Sequence, residues 1–309
     1  MSRRKISLIG AGNIGGVQAQ LICQQQLADV VLFDVVEGRA PGKALDINHA
    51  LDAWGTNCTV VGTDDYKDTA GSDLYIVTAG LPRKPGMSRD DLLSTNLGII
   101  KQVAAGIRDN SPDAIVIVVS NPLDAMVYAM KEVTGFPKER VFGMAGVLDS
   151  ARFKFFVAEA LGVSVGDVVA VVLGGHGDTM VPLVRFSSVN GVPLSQLLDS
   201  DTIAAIVKRV QGAGGEIVGL LKNGSAFVSP AVASVTMAES VLLDQKRVLP
   251  CAAYLEGEYG ASGIYMGVPV VIGAKGVERI LELELEADEK AMLQDSIDHV
   301  VKLIGEIEI

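Results

Sequence analysis

The sequence predicts an α/β fold, in which a doubly wound parallel sheet is followed by a mixed α+β domain. In the first half, short apolar segments alternate with amphipathic stretches of helical length, as in βαβ units. After about residue 145 this alternation gives way to long helices and strands that read as antiparallel pairs. The boundary is therefore predicted near residue 144, dividing 1–144 from 145–309.

The apolar segments of the first half are runs of Val, Ile and Leu, which is typical of strands covered by helices on both faces. Strands are predicted at 5–10, 29–34, 58–62, 73–80 and 114–121. Helices are predicted at 13–26, 37–50 and about 91–109, with another after the segment NPLDAM.

The second half contains longer elements. The predicted order is a helix at 148–162, a strand at 168–173, a hairpin turning at Asn190-Gly191, helices at about 201–222 and 230–244, strands at 247–257 and 264–273, and an acidic helix at about 287–305. Asn-Gly is the strongest short hairpin signal. The segment GAGG at 212–215 indicates either a kink or a close approach to another helix.

Composition excludes several classes of function. A net charge of -11 argues against nucleic acid or an anionic membrane as a partner. Mean hydropathy is +0.36, yet the longest apolar runs, AIVIVV and VVAVVL, have the length of strands and fall far short of a spanning helix. We expect a cytoplasmic protein, since no secretory signal is visible, and a homo-oligomer that buries apolar surface between subunits.

A glycine-rich segment, GAGNIG, follows the first predicted strand and opens the first helix. Gly10 permits a tight turn, Gly12 lets a pyrophosphate approach the backbone, and Gly15 allows close packing of helix on strand. Asp34 ends the next strand, at the usual distance for an acid that binds ribose hydroxyls and repels a 2′-phosphate. The sequence therefore predicts a Rossmann dinucleotide-binding unit that prefers NAD to NADP.

A candidate for proton transfer is His176 in GGHGDT, which ends an apolar segment between glycines. His49 and His299 are interpreted as structural. Asp149 is the candidate that orients His176, with Arg152 three residues later, although an exposed ion pair is the alternative. Asn121 ends a strand, where it either caps the next helix or binds ligand.

A basic cluster in the segment AGLPRKPGMSR stands out in this acidic chain. Arg83, Lys84 and Arg89 are either solvated or bind anions from a closing lid. The three cysteines and three histidines show no metal-ligand spacing, so no metal site is predicted. No Tyr is followed by Lys four residues later, which argues against a short-chain reductase.

Six features occur together: GAGNIG, Asp34, AGLPRKPGMSR, SNPLDA, GMAGVLDSARF and GGHGDT. Over about residues 4 to 305 the chain thereby resembles the lactate/malate dehydrogenase family, and within it the malate-specific members of lactate-dehydrogenase-like type. The resemblance implies reversible, NAD-dependent oxidation of (S)-malate to oxaloacetate, a step of the tricarboxylic acid cycle, by a homodimer or homotetramer. A non-catalytic dinucleotide-binding module is the alternative from a different functional class.

The resemblance also implies a role for each matching residue. His176 exchanges a proton with the C2 oxygen, and Asp149 holds its other ring nitrogen. Arg152 binds the C1 carboxylate, Asn121 contacts the substrate oxygen, Arg89 polarises the reacting carbonyl, and Arg83 pairs with the C4 carboxylate where lactate-specific members carry Gln. The implied cofactor-binding residues are Gly10, Gly12, Asn13, Ile14, Gly15, Asp34, Thr78, Ala79, Gly80, Asn96, Val119 and Asn121.

Overall fold

The computed structural model describes residues 3–81 and 89–309, with the backbone alone for 89–91. The strands are β1 (Lys5–Ile9), β2 (Asp29–Phe33), β3 (Val60–Thr63), β4 (Leu74–Val77), β5 (Ile115–Val118), β6 (Val141–Gly143), β7 (Val168–Val169), β8 (Val172–Leu173), β9 (Val181–Pro182), β10 (Ser188–Val189), β11 (Val192–Pro193), β12 (Arg247–Glu256), β13 (Ser262–Gly273) and β14 (Gly276–Ile280). The helices are α1 (Asn13–Gln24), α2 (Arg39–Trp54), α3 (Arg89–Asn110), α4 (Leu123–Thr134), α5 (Gly146–Leu161), α6 (Leu194–Leu197), α7 (Ser200–Leu221), α8 (Val228–Leu242) and α9 (Ala287–Gly305).

The central sheet has nine strands in the order β14-β13-β12-β6-β5-β4-β1-β2-β3. Its six strands from β3 to β6 pair in parallel, and the chain reverses its direction of progress between β1 and β4. This is the doubly wound arrangement that the sequence predicts. Ligands of such sheets bind at the carboxyl ends of the strands beside this reversal.

The strands of the second half extend the first sheet. β12 joins β6 through Ala252 and Gly143, and β13 and β14 follow in antiparallel register. The sheet and its core therefore run across residue 144: Leu8 and Val268 belong to one buried cluster. A buried hydrogen bond also joins α1 to α8: the Gln18 amide donates to Ser234 Oγ at 2.7 Å. The domain boundary near 144 stays a prediction.

The prediction of one strand over 168–173 is wrong. β7 pairs with β10, whereas β8 pairs with β9, so the segment belongs to two different small sheets. The amide of Val172 is held by Ser150 Oγ at 3.1 Å, and Val169 is half exposed. An apolar run of this length looks continuous in sequence, but its two halves bury their side chains against different partners.

Two strands and one helix feature were not settled by the sequence. β6 is only three residues long, and β14 is a polar edge strand, GVERI, so neither shows a clear periodicity. The helix that contains GAGG runs unbroken from Ser200 to Leu221. A Cβ built on Gly214 would make an ordinary contact of 3.7 Å with Arg152 Nη2, and one on Gly212 or Gly215 would meet no atom within 4 Å. Both interpretations of this segment therefore stay predictions.

The Asn190-Gly191 hairpin is confirmed. Both residues have positive φ, 46° and 87°, as a two-residue type I′ turn requires, and Val189 pairs with Val192 across it. Within the two described segments of the chain, the helices do not offer a stretch that is both long and apolar enough to cross a bilayer.

Candidate active site

The glycine turn between β1 and α1 depends on close backbone approach. Gly10 has φ 115°, and its amide donates to Phe33 O at 2.9 Å. A Cβ on Gly15 would overlap the carbonyl oxygen of Gly10, so only glycine lets α1 begin this close to β1. Gly12 and Asn13 are exposed, and a Cβ on Gly12 would meet no atom within 4 Å. The turn therefore leaves an open cradle above the amides of the helix N-terminus, which suits a pyrophosphate.

The carboxylate of Asp34 is fixed beside this cradle. It accepts the amides of Ala11 at 2.8 Å and Val36 at 2.9 Å, one on each oxygen. Arg39 Nη1 lies 3.4 Å from both oxygens. Because Asp34 is oriented by backbone groups before any ligand arrives, its remaining lone pairs fit the two hydroxyls of a ribose. These observations agree with the predicted dinucleotide site.

Next to the glycine turn, the carboxyl ends of β4 and β5 line the crevice at the ligand-binding edge of the sheet. Thr78 and Ala79 are half-buried and Gly80 is exposed, while Val119 is buried. Asn96 is also buried, and its amide is engaged by the protein: it exchanges hydrogen bonds with Leu81 and donates to Asn121 O at 2.7 Å. Asn96 thus braces the two strand ends, and its predicted contact with the cofactor stays a prediction.

His176, Asp149 and Arg152 meet at one place, although they come from two elements. Asp149 lies in the first turn of α5 and is buried. Its Oδ2 is 2.8 Å from His176 Nδ1, and its Oδ1 accepts Arg152 Nη1 at 3.1 Å. His176 and Arg152 expose only 13% and 14% of their side chains. The alternative of an exposed Asp149–Arg152 pair is therefore wrong.

Arg152 has an unsatisfied donor in this cluster. Its Nε is buried, and no hydrogen-bond partner for it exists among the described residues. A buried guanidinium with a free N–H favours an anionic ligand that accepts two parallel hydrogen bonds, as a carboxylate does.

The charges around His176 decide its protonation. Burial alone would lower the pKa of His176, but attraction and hydrogen bonding from Asp149, together with the charge of Asp124, raise it above the usual value of 6.5. Since Asp149 occupies Nδ1, Nε2 is the nitrogen left to exchange a proton with a ligand. Arg152 opposes this rise.

Sequence reasoning missed Asp124, which is buried beneath this cluster. Its Oδ2 accepts the backbone amide of His176 at 3.0 Å. The segment SNPLDA contains it, but the strand end predicts a functional residue only at Asn121. No local signal in the sequence links residue 124 to residue 176.

Asn121 lies at the mouth of the crevice. It is exposed, and the peptide bond to Pro122 is cis. Pro122, and not Asn121, occupies the position before α4, and no side-chain cap is made there. Of the two alternatives for Asn121, the structure thus disfavours the helix cap and leaves ligand contact as the prediction.

Most of the basic segment, residues 82–88, falls outside the described residues. Arg83 and Lys84 lie within 82–88, and only the backbone of Arg89, where α3 begins, is described. In the described parts of the chain, no group of three or more His, Cys, Asp or Glu residues is arranged to hold a metal ion.

Comparison with known proteins agrees with this geometry. Residues 4–143 match the NAD-binding domain of lactate/malate dehydrogenases, and residues 146–308 match the α/β C-terminal domain of the same proteins. The chain belongs to the lactate/malate dehydrogenase family. Among its relatives, Malate dehydrogenase 1 of Anaeromyxobacter dehalogenans is 60% identical over 309 residues, covering 99% of each chain.

Solved structures of the family superimpose closely on the protein. The malate dehydrogenase of Cryptosporidium parvum has a TM-score of 0.97 at 45% identity, with 99% of each chain covered. The lactate dehydrogenase of the same organism, in complex with lactic acid and nicotinamide adenine dinucleotide, has a TM-score of 0.96 at 47% identity, covering 99% of this chain and 98% of that one. Both activities are thus found on this fold, and the fold alone does not separate them.

Proposed function

We propose that the protein catalyses the reversible, NAD-dependent oxidation of (S)-malate to oxaloacetate. The observation that carries this proposal is the buried His176–Asp149–Arg152 cluster with its free Nε donor. It combines a group that moves a proton with a group that binds a carboxylate. A non-catalytic dinucleotide-binding module would have no use for this pair, which is costly to bury.

The cofactor site fits NAD at Asp34 and the glycine turn. NAD supplies the hydride acceptor when it is bound, and the chain supplies position and electrostatics. His176 Nε2 accepts the proton of the C2 hydroxyl group. Asp149 holds the ring in the matching tautomer and stabilises the imidazolium that forms, as in other His–Asp pairs. Arg152 orients the C1 carboxylate through two hydrogen bonds.

Selection of malate over lactate is assigned to Arg83, which lies outside the described residues. A guanidinium that closes over the substrate pairs with the C4 carboxylate of oxaloacetate but faces a methyl group in pyruvate. Leaving a buried charge unpaired costs about 2–5 kcal/mol, or roughly 30-fold to several thousand-fold in kcat/KM. Arg89 is proposed to polarise the reacting carbonyl, Asn121 to contact the substrate oxygen, and Lys84 to stay solvated.

The test is the loss of NADH absorbance with oxaloacetate and, separately, with pyruvate. Faster turnover of oxaloacetate is expected. Lactate oxidation is the second candidate, favoured by the close match to a lactate-bound neighbour, and faster turnover of pyruvate would establish it. If neither substrate is reduced, the enzyme assignment fails.

Arg83→Gln examines the specificity assignment, with Lys84→Gln as the matched control that removes one neighbouring charge. Arg83→Gln should lower kcat/KM for oxaloacetate at least about tenfold and narrow the gap to pyruvate. Lys84→Gln should leave the ratio of the two substrates nearly unchanged. Equal ratios in all three proteins would refute the role of Arg83.

We also propose that the protein is a cytoplasmic homodimer or homotetramer. Several large apolar side chains are exposed, among them Val35, Leu45, Leu220, Val228 and Val248. Apolar residues of α5, α7 and α8 line a groove of about 930 Å³. Surface of this kind favours association, and sedimentation at micromolar concentration would reveal a monomer if the proposal is wrong.

A further inference from the structure

Three successive backbone amides hold the loop that carries His176, and each has a partner on a different element. Gly174 N donates to Gly267 O of β13 at 2.9 Å. Gly175 N donates to Ser296 Oγ of α9 at 2.9 Å. His176 N donates to Asp124 Oδ2 of α4 at 3.0 Å. The loop is therefore fixed amide by amide, and only the last of these acceptors is an ionisable group.

Asp124 is an expensive acceptor for a backbone amide. It is buried, and its Oδ1 finds no hydrogen-bond partner among the described residues. A neutral serine does the equivalent task at Gly175. An amide side chain at residue 124 would keep the acceptor without burying a charge, so the hydrogen bond alone does not explain a carboxylate here.

The charge of Asp124 acts on His176. Among the described residues, the charged groups that shift the pKa of His176 are Asp149 and Arg152 on α5 and Asp124 on α4. The acceptors that α9 and β13 offer to the loop amides, Ser296 Oγ and Gly267 O, are uncharged. Asp149 is shared with Arg152. Asp124 has no such cation besides His176 among the groups that shift its pKa.

We propose that Asp124 is a positioning residue for the reaction: it fixes the His176 loop through the backbone and, as a second carboxylate, stabilises the protonated imidazole. This inference rests on the proposed function of His176 as the proton-exchanging group. An acid in the first turn of α4 also complements the helix dipole, but the helix dipole does not account for the hydrogen bond from His176 N to Asp124 Oδ2.

The protonation of Asp124 itself sets a limit on this action. Burial raises the pKa of Asp124 to about 6, against the attraction of His176, which lowers it. Below that pH the carboxyl group is protonated and neutral, so it no longer stabilises the imidazolium. The carboxylate is therefore available over the neutral range and is withdrawn in mild acid.

The test compares Asp124→Asn and Asp124→Ala with Glu132→Gln, which removes one charge from the exposed end of the same helix. In Asp124→Asn the acceptor is kept and the charge removed, so the fall of kcat/KM for oxaloacetate with rising pH should begin at lower pH. Asp124→Ala also removes the acceptor, and kcat should drop further, by about tenfold. Glu132→Gln should behave as the unaltered protein. The inference is wrong if the pH profiles and kcat of both Asp124 variants match those of Glu132→Gln.

Folding of the Asp124→Asn variant is expected at neutral pH. Because the pKa of Asp124 is raised on folding, its carboxyl favours the folded state at low pH, and this contribution is lost as pH rises through about 6. The amide side chain of the variant cannot ionise, so the variant does not lose this stability as the pH rises. Its Tm at pH 7 should therefore not fall below that of the unaltered protein.

A measurement on the unaltered protein separates this inference from the proposed function. The chain has three histidines, and His176→Asn assigns the His176 ring signals in an NMR titration. Those signals should show a second inflection near pH 6, from ionisation of Asp124, and it should vanish in Asp124→Asn. An inflection that persists in the variant would overturn the inference, whatever substrate the protein turns over.

Discussion

Gly10, Gly15 and Asp34 lie within one βαβ unit, whereas His176, Asp149 and Asp124 come from three elements of both halves of the chain. The first group is shaped by the backbone: positive φ, a helix start and two amides on a carboxylate. The second depends on buried carboxylates: Asp149 contacts the His176 ring, and Asp124 accepts the His176 backbone amide. The difference teaches that the helix start at Gly15 leaves no room for a side chain, while the catalytic cluster depends on buried charges that come together only in the fold.

The largest expected effect separates the two regions completely. His176→Asn removes the proton-exchanging ring, so turnover should fall by about 10²- to 10⁴-fold, while NADH binding, measured by fluorescence titration, stays nearly intact. His49→Asn is the control, because His49 is exposed on α2. Retained turnover in His176→Asn would contradict the assignment.

Gly15→Ala breaks the cofactor edge instead. Its Cβ would overlap Gly10 O, and the shift of α1 should weaken NADH binding by roughly 5- to 150-fold, corresponding to about 1–3 kcal/mol. Gly212→Ala in α7 is the matched change, since its Cβ meets no atom within 4 Å; it should raise stability by about 0.5–1 kcal/mol. Similar NADH affinities in both variants would refute the proposed packing constraint.

Asp34→Ser tests the cofactor site through charge, without adding a larger side chain. Loss of the charged acceptor should weaken NADH binding by about tenfold. Arg39, now 3.4 Å from Asp34, becomes free to meet a 2′-phosphate, so NADPH should bind more tightly than before. Asp46→Ser, an exposed change on α2, controls for charge. An unaltered ratio of NADH to NADPH affinity would show that Asp34 does not read the ribose.

The smallest expected effect is a displacement along the pH axis. Reduction of oxaloacetate needs protonated His176, whose pKa is raised above 6.5 chiefly by Asp149, which outweighs the lowering by burial. The kcat/KM for oxaloacetate reduction should therefore be highest at low pH and fall as the pH rises through the pKa of His176, which lies above 6.5. A fall centred below 6.5 in a stopped-flow pH series would mean that the carboxylates do not hold the proton.

Much of the cofactor edge could be predicted because its parts are close in sequence. The spacing of the glycines and the number of residues from Gly15 to Asp34 predict one turn between two strands. The structure confirms the doubly wound order around them. The hairpin at Asn190-Gly191 was readable for the same reason. The segment 168–173 was not, since whether an apolar run is one strand or two depends on partners far away in the chain.

The sequence by itself determined the parallel sheet, the dinucleotide turn and the identity of His176, Asp149 and Arg152 as candidates. Local conformational preference and short spacings suffice for these. Only the tertiary structure decided that β12 to β14 join the first sheet, that Arg152 Nε has no partner among the described residues, and that Asp124 lies against the His176 loop. Those facts depend on which side chains pack together in the core. The number of residues between two positions does not show whether they are in contact.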